Sequence, residues 1–261
     1  MRRLMTALMG ALGVMVAGAA SAGFEDAVQS YVREDYAAAL AELRPLVQQG
    51  HAGAQYLFGS MHLLGQGVPK NEAEAAAWVR KAAEQGYAAA QTKLGLMYEG
   101  GLGVLQDDWK AAAWYHKAAS QGDAYAQGRL GLMYVTGRGV PKDDRKAAAW
   151  YRKAAEQGDA RAQNDLGVMY EDGRGVPQSA VIAYALYNLS AAASDPSDRN
   201  RVSKNRQKIA ATMTREQIEA GQALSRELAK PGNFARALAA YEREGARAGR
   251  QPAARAGNAK P

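Results

Sequence analysis

The sequence predicts an all-α fold built from repeated helical hairpins, and three observations carry that expectation. The first is a fixed period. Gln55, Gln91, Gln127 and Gln163 stand 36 residues apart, and so do Gly59, Gly95, Gly131 and Gly167, and Met61, Met97, Met133 and Met169. Self-similarity at such an interval, without an insertion, is the mark of a repeat architecture. The second is composition. Hydrophobic residues make up 48% of the 261, yet only three are Phe, and alanine supplies much of the rest. Alanine favours helix, and its small side chain lets helices approach closely. The third is punctuation. The glycine pairs Gly65/Gly67, Gly101/Gly103, Gly137/Gly139 and Gly173/Gly175 are each trailed by a valine, at Val68, Val104, Val140 and Val176.

Residues 1–22 belong to a different regime. Arg2 and Arg3 precede an almost wholly apolar run from Leu4 to Val16, and Ala20-Ser21-Ala22 offers an A-x-A cleavage site before Gly23. That is the arrangement of a secretory signal peptide. The apolar run approaches the length of a membrane span, but Gly10, Gly13, Gly18 and the A-x-A end favour cleavage over an anchor. No later segment is apolar enough to span a bilayer. The chain has no cysteine, so an exported form carries neither disulfides nor lipid on an N-terminal Cys. Taking Arg2 and Arg3 from 33 basic residues leaves 31 against 26 acidic ones, a net charge of +5. In an exported protein such a surplus points to phospholipid, polyanionic glycan or acidic protein rather than to nucleic acid.

Each repeat reads as two helices. In the second copy Ala90, Leu94 and Tyr98 recur at helical spacing on one face, with Gln91 and Gly95 on its flank. Gly100, Gly101 and Gly103 then end the helix, supplying positive-φ backbone. The following helix starts at a position held by Asn71, Asp107, Asp143 and Ser179, all good N-cap types. Glu72, Asp108 and Asp144 come next and suit the positive end of the helix dipole. The second helix carries the Ala-Ala-Ala-Trp and Lys-Ala-Ala segments and stops at Gly86, Gly122 or Gly158, after which Asp123 and Asp159 cap the next copy. The last copy ends at Ser194-Asp195-Pro196, a cap followed by proline in the first turn.

The run Ala-Gln-x-x-Leu-Gly-x-Met-Tyr-x-x-Gly-x-Gly-Val, continued by Asp-Asp-x-Lys-Ala-Ala-Ala-Trp-Tyr-x-Lys-Ala-Ala-x-Gln-Gly-Asp-Ala, resembles the Sel-one-like repeat, a relative of the tetratricopeptide repeat. The likeness covers residues 51–194 as four repeats. Tyr31 to Gly50 resembles the latter half of one more copy, with Glu42 in the tryptophan's place, so residues 23–50 are expected to form an N-terminal capping hairpin. Tyr184 to Glu219 resembles the closing segment of bacterial members, which makes residues 195–230 C-terminal capping helices. Residues 231–261 are read as a short helix, capped by Asn233 and carrying Phe234, Leu238 and Tyr241, followed from Gly245 by a disordered basic tail. The resemblance implies an α/α superhelical solenoid whose first helices line a concave surface, and a role as a protein-binding adaptor.

No catalytic constellation, metal site or cofactor site emerges. His51 follows a helix-ending glycine, His62 takes the place held by Tyr98, Tyr134 and Tyr170, and His116 sits at a variable outward place. Neither a cysteine nor a second histidine accompanies any of them. Asp107-Asp108 and Asp143-Asp144 are explained by capping, since adjacent carboxylates alone fall short of a Ca²⁺ shell. The Gly-x-Gly-Val turns lack the Lys-Ser/Thr of a phosphate loop. Trp78, Trp114 and Trp150 fall at one structural position and are expected to be inter-helix core. Trp109 replaces Ala73, Arg145 and Val181 and is the better exposed aromatic.

Partner-binding residues are read from the helix face opposite Ala90, Leu94 and Tyr98. They are Tyr56, Ser60 and Leu63 in the first copy and Thr92, Leu96 and Glu99 in the second. Leu132 and Val135 follow in the third, where Gly128 holds the first place, and Asn164, Val168 and Glu171 in the fourth. An outward apolar stripe bordered by polar groups suits a protein or peptide partner. Packing against the next copy's first helix is the alternative. The expected function is therefore a non-enzymatic scaffold, adaptor or regulator in the periplasm. An envelope or glycan-surface protein working through the tail (Arg243, Arg247, Arg250, Arg255, Lys260) is the second reading. A β-lactam-interacting hydrolase ranks below both, because this chain lacks the per-repeat cysteine pairs of the relatives linked to that chemistry.

Overall fold

The structure is a computed structural model and describes residues 22–248. The signal-peptide reading falls outside it except for Ala22, as does the tail beyond Ala248. The described residues hold thirteen α-helices and no strand. None of them is long and apolar enough to cross a membrane. The chain divides into two compact units, Met1–Lys142 and Asp143–Pro261.

The first unit holds α1 (Ala22–Val32), α2 (Tyr36–Gln48), α3 (Ala52–Leu64), α4 (Glu72–Glu84), α5 (Ala88–Gly100), α6 (Asp108–Ser120) and α7 (Ala124–Thr136). Each helix packs antiparallel-hairpin fashion on its successor in sequence. Leu43, Met61, Leu94, Met97, Tyr115 and Leu130 are the large side chains fully buried between them. The second unit holds α8 (Asp144–Glu156), α9 (Ala160–Asp172), α10 (Ala180–Ala193), α11 (Pro196–Ala210), α12 (Arg215–Leu228) and α13 (Phe234–Ala248). Its centre is formed by Leu166, Met169, Tyr170, Leu186, Tyr187 and Leu238.

The recurring residues have physical causes. Gln91 donates to the carbonyl of Ala83 at 3.1 Å and accepts from Gln121 at 2.7 Å. It thereby adds a side-chain donor to a carbonyl in the last turn of the preceding helix, which also accepts from the Gly86 N–H at 3.0 Å. Gln127 and Gln163 donate in the same way to Ala119 at 3.1 Å and Ala155 at 3.2 Å. A buried amide with this double duty accepts no apolar substitute. Gly101 caps α5 in the left-handed conformation at φ 69°, its N–H returning to Met97 O. Gly103 is needed for space as well, because a Cβ there would fall 1.9 Å from the carbonyl oxygen of Glu72. Gly139 meets Asp108 O at 2.0 Å and Gly175 meets Asp144 O at 2.2 Å in the same fashion. The loop of each copy is thus pressed onto the first turn of the second helix in the copy before.

The capping positions fall where the sequence places them. Asn71, Asp107, Asp143 and Ser179 each accept from the backbone N–H three residues on, as do Asp123 and Asp159. His51 turns out to cap as well, its Nδ1 accepting from Ala54 N at 3.1 Å. The pair α11–α12 keeps the 36-residue register of α9–α10, so the closing segment is one more hairpin with its repeat motif worn away. Two details differ from the sequence reading. The last helix runs on through Gly245 to Ala248, since a single glycine weakens a helix without ending it. The tryptophans at the repeated position are half-buried rather than core. Lys81 lies 3.8 Å from the ring centre of Trp78 and Lys117 3.8 Å from that of Trp114, so one face of each indole serves a cation from the next helical turn. Trp109 is 68% exposed.

Candidate functional site

The first helices of the four repeats are α3, α5, α7 and α9, and the residues expected to face a partner divide into two sets on them. Tyr56, Ser60, Thr92 and Asn164 are buried, which corrects the expectation that they stand outward. Tyr56 and Asn164 meet the neighbouring copy. The Tyr56 ring lies 5.5 Å from that of Tyr87, at the start of the next first helix, and burial pushes its hydroxyl up to about 12. Asn164 accepts from Asn205 of α11 at 2.9 Å. Ser60 turns back onto the carbonyl of Tyr56 at 2.9 Å, and the hydroxyl of Thr92 is buried with no partner. A face that is outward on an isolated helix becomes a seam once a second helix stacks beside it. Leu63, Leu96, Leu132 and Val135 of the first unit are half-buried, and so is Val168 of the second.

Glu99 and Glu171 are the charged members of the face, and both are engaged. Glu99 is ion-paired with Arg129 of α7 and lies 3.7 Å from Arg138. Its second oxygen accepts from the hydroxyl of Tyr115 at 2.8 Å. Tyr115 belongs to α6 and reaches the face only because Gly95 lets its ring pass. A Cβ at residue 95 would lie 2.7 Å from two ring carbons. Burial, and then the hydrogen bond to Glu99, raise the Tyr115 hydroxyl far above its ordinary value. Arg138 also forms a two-pronged bond with Asp108, at 3.1 and 2.9 Å. In the second unit Tyr187 donates to Glu171 at 2.7 Å, Gly167 makes room for it, and Lys208 of α11 pairs with the same carboxylate at 3.0 Å.

Sequence reasoning missed Tyr115, Arg129, Arg138 and Lys208. A signal for most of the cross-copy contacts exists in retrospect. Glu99 and Arg129, Asp108 and Arg138, Asp144 and Arg174, and Gln91 and Gln121 are all paired at a separation of 30. The stagger between stacked copies is therefore six residues short of the period. The face consists of a half-exposed apolar row beside carboxylates held in fixed positions by arginine and tyrosine. Among the described residues no group of three or more His, Asp or Glu converges as a metal site would require.

Comparison with known proteins agrees with the repeat fold. The Sel1 repeat signature matches residues 52–87, 88–123, 124–159 and 160–195. The chain belongs to the Sel1 repeat family. Sel1 repeats commonly mediate protein–protein interaction and are generally non-enzymatic scaffolds. The chain is similar to a protective antigen present in uropathogenic Escherichia coli strains that displays an SLR fold. Identity is 34% and the TM-score 0.66, over 85% of this chain and 46% of that one. It therefore spans about half the length of that antigen. A Sel1 repeat protein from Oxalobacter formigenes is 30% identical with a TM-score of 0.63, over 85% of this chain and 99% of the other. No curated protein matches the chain. As an all-α array of Sel1 hairpins, the fold class is the one the sequence predicts.

Proposed function

We propose that this Sel1 repeat protein is an exported, non-enzymatic scaffold that holds a protein or peptide partner on the first-helix face of its repeats, in the periplasm. The observation that carries the reading is the half-exposed row Leu63, Leu96 and Leu132 on successive first helices of the first unit. Beside it stand Glu99 and Arg129, already paired with each other, and Tyr125, which is exposed. Apolar side chains left at the surface in series gain free energy when a partner covers them, by about 25 cal/mol per Å² of apolar area. The polar groups around them are ordered in advance, so little entropy is lost in fixing them on binding. Arg2-Arg3, the apolar run and Ala20-Ser21-Ala22 support export.

The test is cross-linking in the native envelope followed by capture of the full chain and of a Leu96→Glu/Leu132→Glu variant. A partner retained by the parent chain and lost by the variant, at equal helical content, is the expected result. An introduced carboxylate stays hydrated in the free protein and must be desolvated on binding. A variant that folds and retains the same partner refutes the face, and one that unfolds makes the row core between copies. N-terminal sequencing of the cellular protein should begin at Gly23, and an intact Met1 in the cytosol would refute export.

A further inference from the structure

Helix α13 docks onto an arginine–tyrosine pair inside the second unit, and the first unit repeats that pair with no carboxylate on it among the described residues. In the second unit the Arg152 guanidinium donates to the phenol oxygen of Tyr170 at 2.7 Å and to Glu242 of α13 at 2.7 Å. Tyr170 donates its own hydroxyl hydrogen bond to the same carboxylate oxygen at 2.5 Å. One carboxylate thus closes a guanidinium–phenol pair from two sides. Phe234 and Leu238, eight and four residues before Glu242 on the helix, are buried, so α13 brings two apolar side chains and one acid on the same side.

Two repeat lengths earlier stand Arg80 and Tyr98. Arg80 donates to the Tyr98 oxygen at 2.9 Å, as Arg152 does to Tyr170. Its guanidinium carbon lies 5.9 Å from the Tyr98 ring centre, and Lys110 Nζ lies 5.5 Å from that centre. Among the described residues no carboxylate bonds to Arg80, and the phenolic proton of Tyr98 has no acceptor. Arg80 is exposed, and Tyr98 is 8% exposed where Tyr170, beside α13, is 0%. The intermediate member of the series carries His116 with Tyr134, and the member before Arg80 carries Arg44 with His62, so Arg80 and Tyr98 are the first unit's arginine–tyrosine pair at these positions.

We infer that Arg80 and Tyr98 form a docking site for a carboxylate carried on a helix of a partner protein. The site is distinct from the leucine row, since Tyr98 lies on the core side of α5 and the row on the other. Its groups supply what one carboxylate needs. A charged planar donor and a neutral O–H converge on one point, and Lys110 adds positive potential even while paired with Asp107 at 3.1 Å. Bonds from charged donors to a carboxylate are roughly twice as strong as neutral ones.

The probe is a peptide of residues 233–246, the sequence already seated on the equivalent pair, held helical by a side-chain lactam on the face away from Phe234, Leu238 and Glu242. In the full chain the second unit's site is filled by the tethered α13 at high effective concentration, so added peptide reads the first. Fluorescence anisotropy should show saturable binding. It should weaken about tenfold, 1.4 kcal/mol, when peptide Glu242 becomes Gln, and similarly with protein Arg80→Gln or Tyr98→Phe. Leu96→Glu should leave it unchanged, which separates this site from the leucine row. Absence of saturable binding, or binding indifferent to both Arg80→Gln and the peptide's Glu242→Gln, overturns the proposal. Self-association of the chain that Arg80→Gln abolishes would make the occupant a second copy and overturn the separate partner.

Discussion

Gly95 and Gly128 are both mid-helix glycines on first helices, and alanine at each should move stability in opposite directions. Alanine in a helix interior is favoured over glycine by about 0.5–1 kcal/mol, because glycine loses more backbone freedom on folding. At Gly128 nothing lies within 4 Å of the new Cβ. Gly128→Ala should therefore stabilise by about 0.5–1 kcal/mol, the full propensity gain. At Gly95 the Cβ would lie 2.7 Å from Cδ1 and Cε1 of Tyr115. That ring is fully buried and its hydroxyl is tied to Glu99 at 2.8 Å, so it has little room to turn aside. Overpacking of this kind costs about 1–3 kcal/mol, and a weakened hydrogen bond to a charged group adds to it. After subtraction of the propensity gain, Gly95→Ala should destabilise by about 2 kcal/mol. Urea unfolding followed by far-ultraviolet circular dichroism reads both variants as shifts of the midpoint. A double-mutant cycle with Tyr115→Leu then isolates the contact. Once the ring is gone, Gly95→Ala should be neutral or stabilising. A Gly95→Ala protein as stable as the parent, or one whose loss persists in the Tyr115→Leu background, would refute the account of why glycine recurs at this position.

Three further outcomes follow from the same packing. Thr92→Val removes a buried hydroxyl that has no partner and should raise the urea midpoint by the equivalent of about 1 kcal/mol. Gln91→Leu removes a buried hydrogen bond to the Ala83 carbonyl, which keeps the Gly86 N–H at 3.0 Å, and one from the exposed Gln121 amide, and should cost about 1 kcal/mol, whereas Gln106→Leu on an exposed loop should be nearly neutral. Burial raises the Asp165 carboxyl above its ordinary value, although Asn164 donates to it. The charged form is therefore penalised in the folded state, and the penalty is complete above the raised value and absent below about pH 3.9, the ordinary aspartate value. Asp165→Asn should stabilise at pH 7, with an advantage that shrinks as the pH falls through that window. A pH-independent difference in midpoint would refute burial as the cause.

The period, the helix ends and the hairpin plan were determined by the sequence alone, because each rests on interactions within a few residues. An aspartate three residues ahead of a free N–H caps a helix wherever it stands, and Gly101 leaves the helical conformation for local reasons. The recurrence of Gln91 and Gly95 was visible too, although its cause was not. The tertiary structure decided which residues share a seam. Thr92 and Asn164 lie on the far side of their own helix from Leu94 and Leu166, and read helix by helix they face outward. Packing in the folded array buries both, sets Asn164 against Asn205 of α11 and spends Glu99 on Arg129. The same holds for Arg80 and Arg152, identical in sequence position, one closed by Glu242 and one left open. A helix shows its own neighbours at three and four residues, but the partner that buries or neutralises a side chain is set by how separate helices are placed in space, and no local period encodes that.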